Sequence, residues 1–216
     1  KELASSNRHG KFLFAEVPDT GWLVLHFGMS GTLKYEQSGG PVHEHTRAIF
    51  RFSSGARLLM ICQRMLGQVS FTADREAFIR VHSLGPDALA EELSRERFGA
   101  ILHESRGALK PALMEQTKIA GIGNVYADEI LFHAGVHPTL KGNELTEEQI
   151  DALYDNLHRV LTTAARVAGQ HEALPHDWLL TNRDPDGKCP ACGHPLESRT
   201  VSGRTAIFCP NCQSPA

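Results

Sequence analysis

The 216 residues carry 22 Lys+Arg against 25 Asp+Glu, a net charge of -3, and 41% are hydrophobic. Such a chain is long enough for one large or two small cored domains. Its balance argues against a disordered polyelectrolyte or a binder coated in positive charge, while a local basic face stays open. No apolar run approaches membrane-spanning length and no signal peptide opens the sequence, so a cytoplasmic protein with no membrane partner is expected.

Strands open the chain. Phe12–Val17 is an apolar, β-prone run, Pro18-Asp19-Thr20-Gly21 has turn chemistry, and Trp22–Phe27 is the returning strand. Gly28-Met29-Ser30-Gly31 breaks it with a sharp turn, and Ser38-Gly39-Gly40-Pro41 is a loop. Arg47–Phe52, Ala56–Ile61 and Gln68–Thr72 read as further antiparallel strands, and this spacing points to a sandwich or barrel.

The period changes near Leu84-Gly85-Pro86-Asp87. Leu89, Leu93, Phe98, Ile101 and Leu102 recur at helical spacing, and Leu109–Gln116 predicts another helix. Two glycines interrupt at Gly121 and Gly123, and a helix follows over Val125–Ala134, stopped by Gly135 and Pro138. Thr146-Glu147-Glu148-Gln149 is a capping box for a helix over about 147–168 that buries Ile150, Leu153, Leu157, Val160 and Leu161 and stops at Gly169. His171–Lys188 reads as a linker around Trp178-Leu179-Leu180. The expected division is a strand-rich 1–85, a helical 86–182 and a tail over 183–216.

The tail holds four of the five cysteines as two C-x-x-C pairs, Cys189 with Cys192 and Cys209 with Cys212. Thiolates on two tight knuckles, joined by a stretch long enough for a β-hairpin, suit one tetrahedral structural zinc. Such paired thiols belong in a reducing compartment. The hairpin tip, Ser202-Gly203-Arg204-Thr205, would present Arg204. Upstream, Gly121-Ile122-Gly123-Asn124 feeds a helix whose free N–H groups could receive a phosphate, with the Asn124 amide as a further donor; a plain helical corner is the alternative. The Lys-Ser/Thr ending of a nucleotide P-loop is missing, which argues against ATP. Lys11 is a basic group at a sheet rim. Met29 stands on a turn, where a methionine is a core filler, the reading favoured in isolation, or an exposed apolar wedge; Arg64 and Leu66 also stand on a turn, and such arginine–apolar pairs can enter a base stack. Cys62 reads as a buried thiol, and His43-x-His45 as surface.

Together these stretches resemble the formamidopyrimidine-DNA glycosylase and endonuclease VIII family of bifunctional repair enzymes. The resemblance is carried by RHGKFLF at 8–14, LHFGMSG at 25–31, LGPDAL at 84–89, LMEQTKIAGIGNVYADEILFHAGVHP at 113–138 and GRTAIFCPNCQ at 203–213. It implies an α+β fold: an antiparallel β-sandwich, a helix–two-turn–helix domain and a zinc hairpin, with damaged double-stranded DNA in the cleft. It also implies excision of an oxidised base with strand nicking by a monomer. Asn124 and Arg204 would clamp phosphates flanking the lesion, and Lys11 would reach a nearby phosphate in support of elimination. Met29, Arg64 and Leu66 would fill the gap left by the flipped nucleotide. Family members begin with Pro-Glu, whose proline amine is the nucleophile; this sequence begins Lys1-Glu2-Leu3. A chain without its nucleophile, with an incomplete sandwich, is therefore expected. The alternative is a non-catalytic relative that binds damaged DNA. The connection between the long helix and Cys189 is also shorter than in members that cap an oxidised purine.

Overall fold

The computed structural model describes residues 2–37, 39–167, 173–184 and 186–214. Ser38 of the expected loop, Gly169 of the expected helix stop and His171 of the expected linker lie outside them. The chain divides into two compact units, 1–83 and 84–216.

Among its described residues, the first unit holds seven strands in two antiparallel sheets. One has the order β1 (Ser6–His9), β2 (Phe12–Val17), β3 (Gly21–His26) and β7 (Gln68–Thr72); the other is β4 (Thr32–Glu36), β6 (Arg57–Ile61) and β5 (Thr46–Arg51). Strand alternation decides what each face covers. Phe14 pairs with Val24, and both pack with Phe78 of a short helix α1 (Arg75–Val81). Leu13 pairs with Leu25 and Ala15 with Leu23, and these line a groove with Leu33 and Leu58 of the other sheet. The sandwich expectation holds. Helix α1 was not expected, because seven residues give too little periodicity; Asp74 caps it by accepting from the Glu76 N–H.

The second unit is built on α2 (Arg95–His103), α3 (Leu109–Met114), α4 (Asn124–His133) and α5 (Glu147–Arg166). Helix α2 starts later than the leucine spacing suggests. The Asp87 carboxylate accepts from the Leu89 N–H, and Ala88 bonds across to Ala120, so 87–93 is committed to turns and a bridge. Ser94 then caps the helix. Helix α3 ends before Gln116, whose side chain is used elsewhere. The capping box of α5 forms as read, and Ile150, Leu153, Leu157 and Val160 are buried in the central core with Phe98, Leu113, Ile130 and Trp178, while Leu161 packs at its margin. The tail forms a hairpin, β8 (Glu197–Val201) and β9 (Arg204–Phe208), closed by Ser202 and Gly203, both left-handed (φ +48 and +76). That two-residue turn matches the natural strand twist and moves Arg204 and Thr205 from the tip into the first positions of β9.

Among the described residues no helix is long and apolar enough to cross a membrane.

Candidate functional site

The four tail cysteines come together. Cys189 and Cys212 sulfurs lie 3.8 Å apart, Cys192 and Cys209 3.6 Å, and all four fall within 4.8 Å of one another. Tetrahedral thiolates at ~2.3 Å from a metal would sit about 3.8 Å apart, so the cage fits zinc, and the sulfurs are far too distant for disulfides. The His194 N–H beside Cys192 brings that thiol down to about 6, ready to ligate as thiolate, while burial and the neighbouring thiols push Cys212 up to about 12. A divalent cation at the centre resolves this crowding. These residues hold one structural zinc, and the geometry leaves no place for a substrate at the metal. Behind the cage, Cys189 and Cys209 pack with Phe132 of α4 and with Leu179.

Helix α4 is the platform for everything around it. It follows a turn in which Gly121 has φ +122, a conformation that disfavours any side chain. Gln116 staples that turn: its carbonyl accepts from the Gly121 N–H, and its amide donates to Met114 and Ile122 carbonyls. Gly123 is the N-cap and supplies no side-chain cap, so the opening N–H groups of α4 keep their positive potential. Asn124 opens the helix, and its buried Oδ1 receives no protein hydrogen bond.

One turn later, Asp128 lies on the Asn124 face of the helix. Its carboxylate is buried with 1% side-chain exposure and pairs with Lys110 of α3 at 2.7 Å, Arg183 at 2.8 Å and the Ile207 N–H of β9 at 3.2 Å. Lys110 also donates to the Thr205 carbonyl. Burial pushes the Asp128 carboxyl up and the Lys110 ammonium down, and the three donors that converge on the carboxylate oppose that shift. Glu129 accepts from the Leu179 and Leu180 N–H groups and pairs with His133, which pins the segment leading to the zinc cage. Gln213 accepts from Cys209 and donates to Val136, fixing the cage from the other side.

This lattice ties the helix of Asn124 and the strand of Arg204 to the same carboxylate. Asn124 is one turn, about 5.4 Å, along α4 from Asp128. Arg204 is three strand residues, roughly 10 Å, from Ile207, which bonds the same carboxylate. Arg204 also lines a cleft of about 180 Å³ with Lys110, Met114 and Glu115, and the chain passes from there straight into the Gln116 staple. Lys110, Asp128, Gln116, Glu129 and Gln213 were all missed from sequence.

The first unit brings its own residues together. Lys11 closes the β1–β2 turn and lies close enough to His26 for its charge to act on the imidazole. Phe12 pairs with His26 across the strands, and the Met29 turn follows. Gly28 has φ +62, and any Cβ there would lie 2.7 Å from the Leu66 backbone, so the Met29 turn and the 62–67 turn touch. Met29 is 70% exposed and Leu66 49%. Arg64 is exposed on the same turn as Leu66, whereas Cys62 at its base is buried.

The His26 Nδ1 accepts from the Gly28 N–H at 3.1 Å, which requires an unprotonated Nδ1. Burial first, and Lys11 second, hold this imidazole below its usual 6.5. A folded value below the unfolded one gives stabilisation that is complete above pH 6.5 and lost as pH falls through the folded value. We expect an NMR titration of the His26 ring to show a midpoint below 6.5, with broadening of Gly28 and Met29 amides through the same range; a midpoint at or above 6.5 would contradict the contact.

Comparison with known proteins agrees over the whole chain. Residues 1–69 match the formamidopyrimidine-DNA glycosylase N-terminal domain, 84–174 the formamidopyrimidine-DNA glycosylase H2TH domain, and 187–215 a zinc finger found in FPG and IleRS. A formamidopyrimidine-DNA glycosylase of Solibacter usitatus (strain Ellin6076) is 33% identical over 226 residues, which span 99% of this chain and 81% of that protein. One from Acaryochloris marina (strain MBIC 11017) is 32% identical, spanning 95% and 79%. Among solved structures, Lactococcus lactis formamidopyrimidine DNA glycosylase bound non-covalently to DNA containing an AP site superposes with a TM-score of 0.85 at 28% identity, over 99% of this chain and 82% of that one. MutM in complex with DNA containing carbocyclic 8-oxo-G gives 0.85 at 29% identity over the same shares. On these matches the chain belongs to the formamidopyrimidine-DNA glycosylase family.

Proposed function

We propose that this protein is a DNA glycosylase of base-excision repair, binding oxidised lesions in double-stranded DNA as a monomer in the bacterial cytoplasm. Asn124 and the first N–H groups of α4, with Gly121 and Gly123 allowing close approach, receive one backbone phosphate. Arg204 takes the phosphate across the cleft, and Lys11 a third. Two donors on adjacent phosphates hold the strand kinked while the base is turned out, and Met29, Arg64 and Leu66 enter the vacated step. Extrusion exposes the glycosidic bond for cleavage, and a kinked backbone held by fixed donors needs no reorganisation when charge develops on the sugar.

The observation that carries this reading is the lattice centred on Asp128, which ties the Arg204 strand and the Asn124 helix into one body. Phosphate contacts dominate affinity and are salt-dependent. Replacing Arg204 with alanine is therefore expected to weaken binding to a duplex with an abasic analogue by about 1–3 kcal/mol and to flatten the salt dependence by about one counterion. Arg204 is exposed, so folding should be unaffected. A dissociation constant and salt slope equal to wild type would remove the clamp assignment.

A further inference from the structure

Met65 stands between Arg64 and Leu66 and has no role in the reading above. Its backbone is left-handed, with φ +53, a conformation that a long L side chain adopts only against a steric cost. It is also 70% exposed, as much as Met29. A methionine held in a strained conformation and pointed into water fills no core.

The turn around it is held by its neighbours. Cys62 is buried, and its carbonyl accepts from both the Met65 N–H and Arg47 Nε. Gly67 closes the turn against Met60 and the His26 carbonyl, and Leu66 abuts Gly28. Met65, Leu66 and Met29 therefore come from two touching turns and are all exposed, with Arg64 on the Met65 turn. An unbranched thioether is soft and polarizable, and it slides against a nucleobase face without needing a hydrogen-bond partner.

We propose that Met65 is a fourth wedge residue, packing against a base beside the vacated position when the lesion is turned out. The inference rests on the wedge reading of Met29, Arg64 and Leu66. A thioether carries no strong donor, so the Met65 contribution is the same whichever base stands opposite the lesion, in contrast to what the Arg64 guanidinium can read.

The test is equilibrium binding to duplexes carrying a tetrahydrofuran abasic analogue opposite each of the four bases, beside an undamaged duplex. Met65→Ala and Met65→Asn, the second tolerant of a left-handed backbone, are expected to weaken analogue binding by about tenfold, equally for all four opposite bases. Binding to the undamaged duplex should change by less than about twofold, and Met65→Leu should restore most of the loss. Thermal midpoints of Met65→Asn at or above wild type would show that the turn is intact. Loss in Leu66→Ala with none in either Met65 variant would overturn this inference alone. Wild-type binding by all three would overturn the wedge reading and the inference with it. An equal loss on undamaged DNA would also overturn it, because a backbone contact and not a base contact would then be at stake.

Discussion

Stripping the metal with a strong chelator is expected to unfold the tail hairpin over residues 187–214 while the helical core keeps its structure. The reason is the balance of terms in the tail. The hairpin buries a small set of side chains, Cys189 and Cys209 against Phe132 and Leu179 with Leu196 and Ile207 at the margin, and Val201, Ala206 and Phe208. Four thiols crowded within 4.8 Å repel one another once ionised, and without a cation nothing offsets this. Metal binding at such a cage supplies about 10–16 kcal/mol, which far exceeds what a short hairpin gains from pairing. The helical unit, by contrast, has its own core from Leu93 to Trp178. Hydrogen exchange should therefore show β8 and β9 amides losing protection first, with Ile130, Leu131 and Leu157 still protected. DNA affinity should fall by at least as much as in Arg204→Ala, since the strand that carries Arg204 is lost with the cage. Protected β9 amides in metal-free protein would show that the hairpin stands on its own packing.

The second large effect is expected at the buried ion pair. Lys110 and Asp128 side chains are each 1% exposed, so neither charge has water to fall back on. Lys110→Met leaves the carboxylate with two donors and removes a bond to the hairpin at Thr205; Asp128→Leu leaves an ammonium and the Arg183 guanidinium facing a hydrocarbon. Breaking one side of a buried pair costs about 3–5 kcal/mol, a large share of a typical folding free energy of about 5–15 kcal/mol. For a unit of this size that is a fall of roughly 10 °C or more in thermal midpoint. The double variant Lys110→Met/Asp128→Leu should recover part of it, because the ammonium goes with the carboxylate, while the Arg183 guanidinium and the Ile207 N–H still lose their acceptor. Single variants that melt like wild type, or a double variant no better than the worse single, would show that the pair contributes no coupling.

What was legible in the sequence follows from how narrowly each chemistry constrains residue types. A tetrahedral metal demands four ligands on two knuckles, so Cys189, Cys192, Cys209 and Cys212 could be named from spacing alone. The Gly121-Ile122-Gly123-Asn124 turn was visible because a left-handed glycine before a helix leaves few alternatives. Lys110, Asp128 and Glu129 were invisible for the opposite reason: charged residues on a helix ordinarily face water. The available signal was the rest of α4. Val125, Ala127, Ile130, Leu131 and Phe132 leave no polar stripe, so a helix apolar all round must be buried, and its carboxylates must then be paired. Gln116 and Gln213 gave no such hint, since neutral amides are common anywhere; only the folded turn shows what each one ties. The late start of α2 was lost because leucine spacing over 89–93 fits a helix as well as it fits a turn held by Asp87.

Helix α4 carries Asn124 at its start, the Asp128 socket for β9 one turn later, and Phe132 beneath the metal cage one turn beyond that. Both jaws of the proposed grip are thus tied to a single helix. Under the proposed clamp, a helix that holds both jaws makes the DNA strand deform to match them. The cost of deformation then falls on the nucleic acid, so steps already softened by poor stacking are seized ahead of sound ones before any base has been inspected.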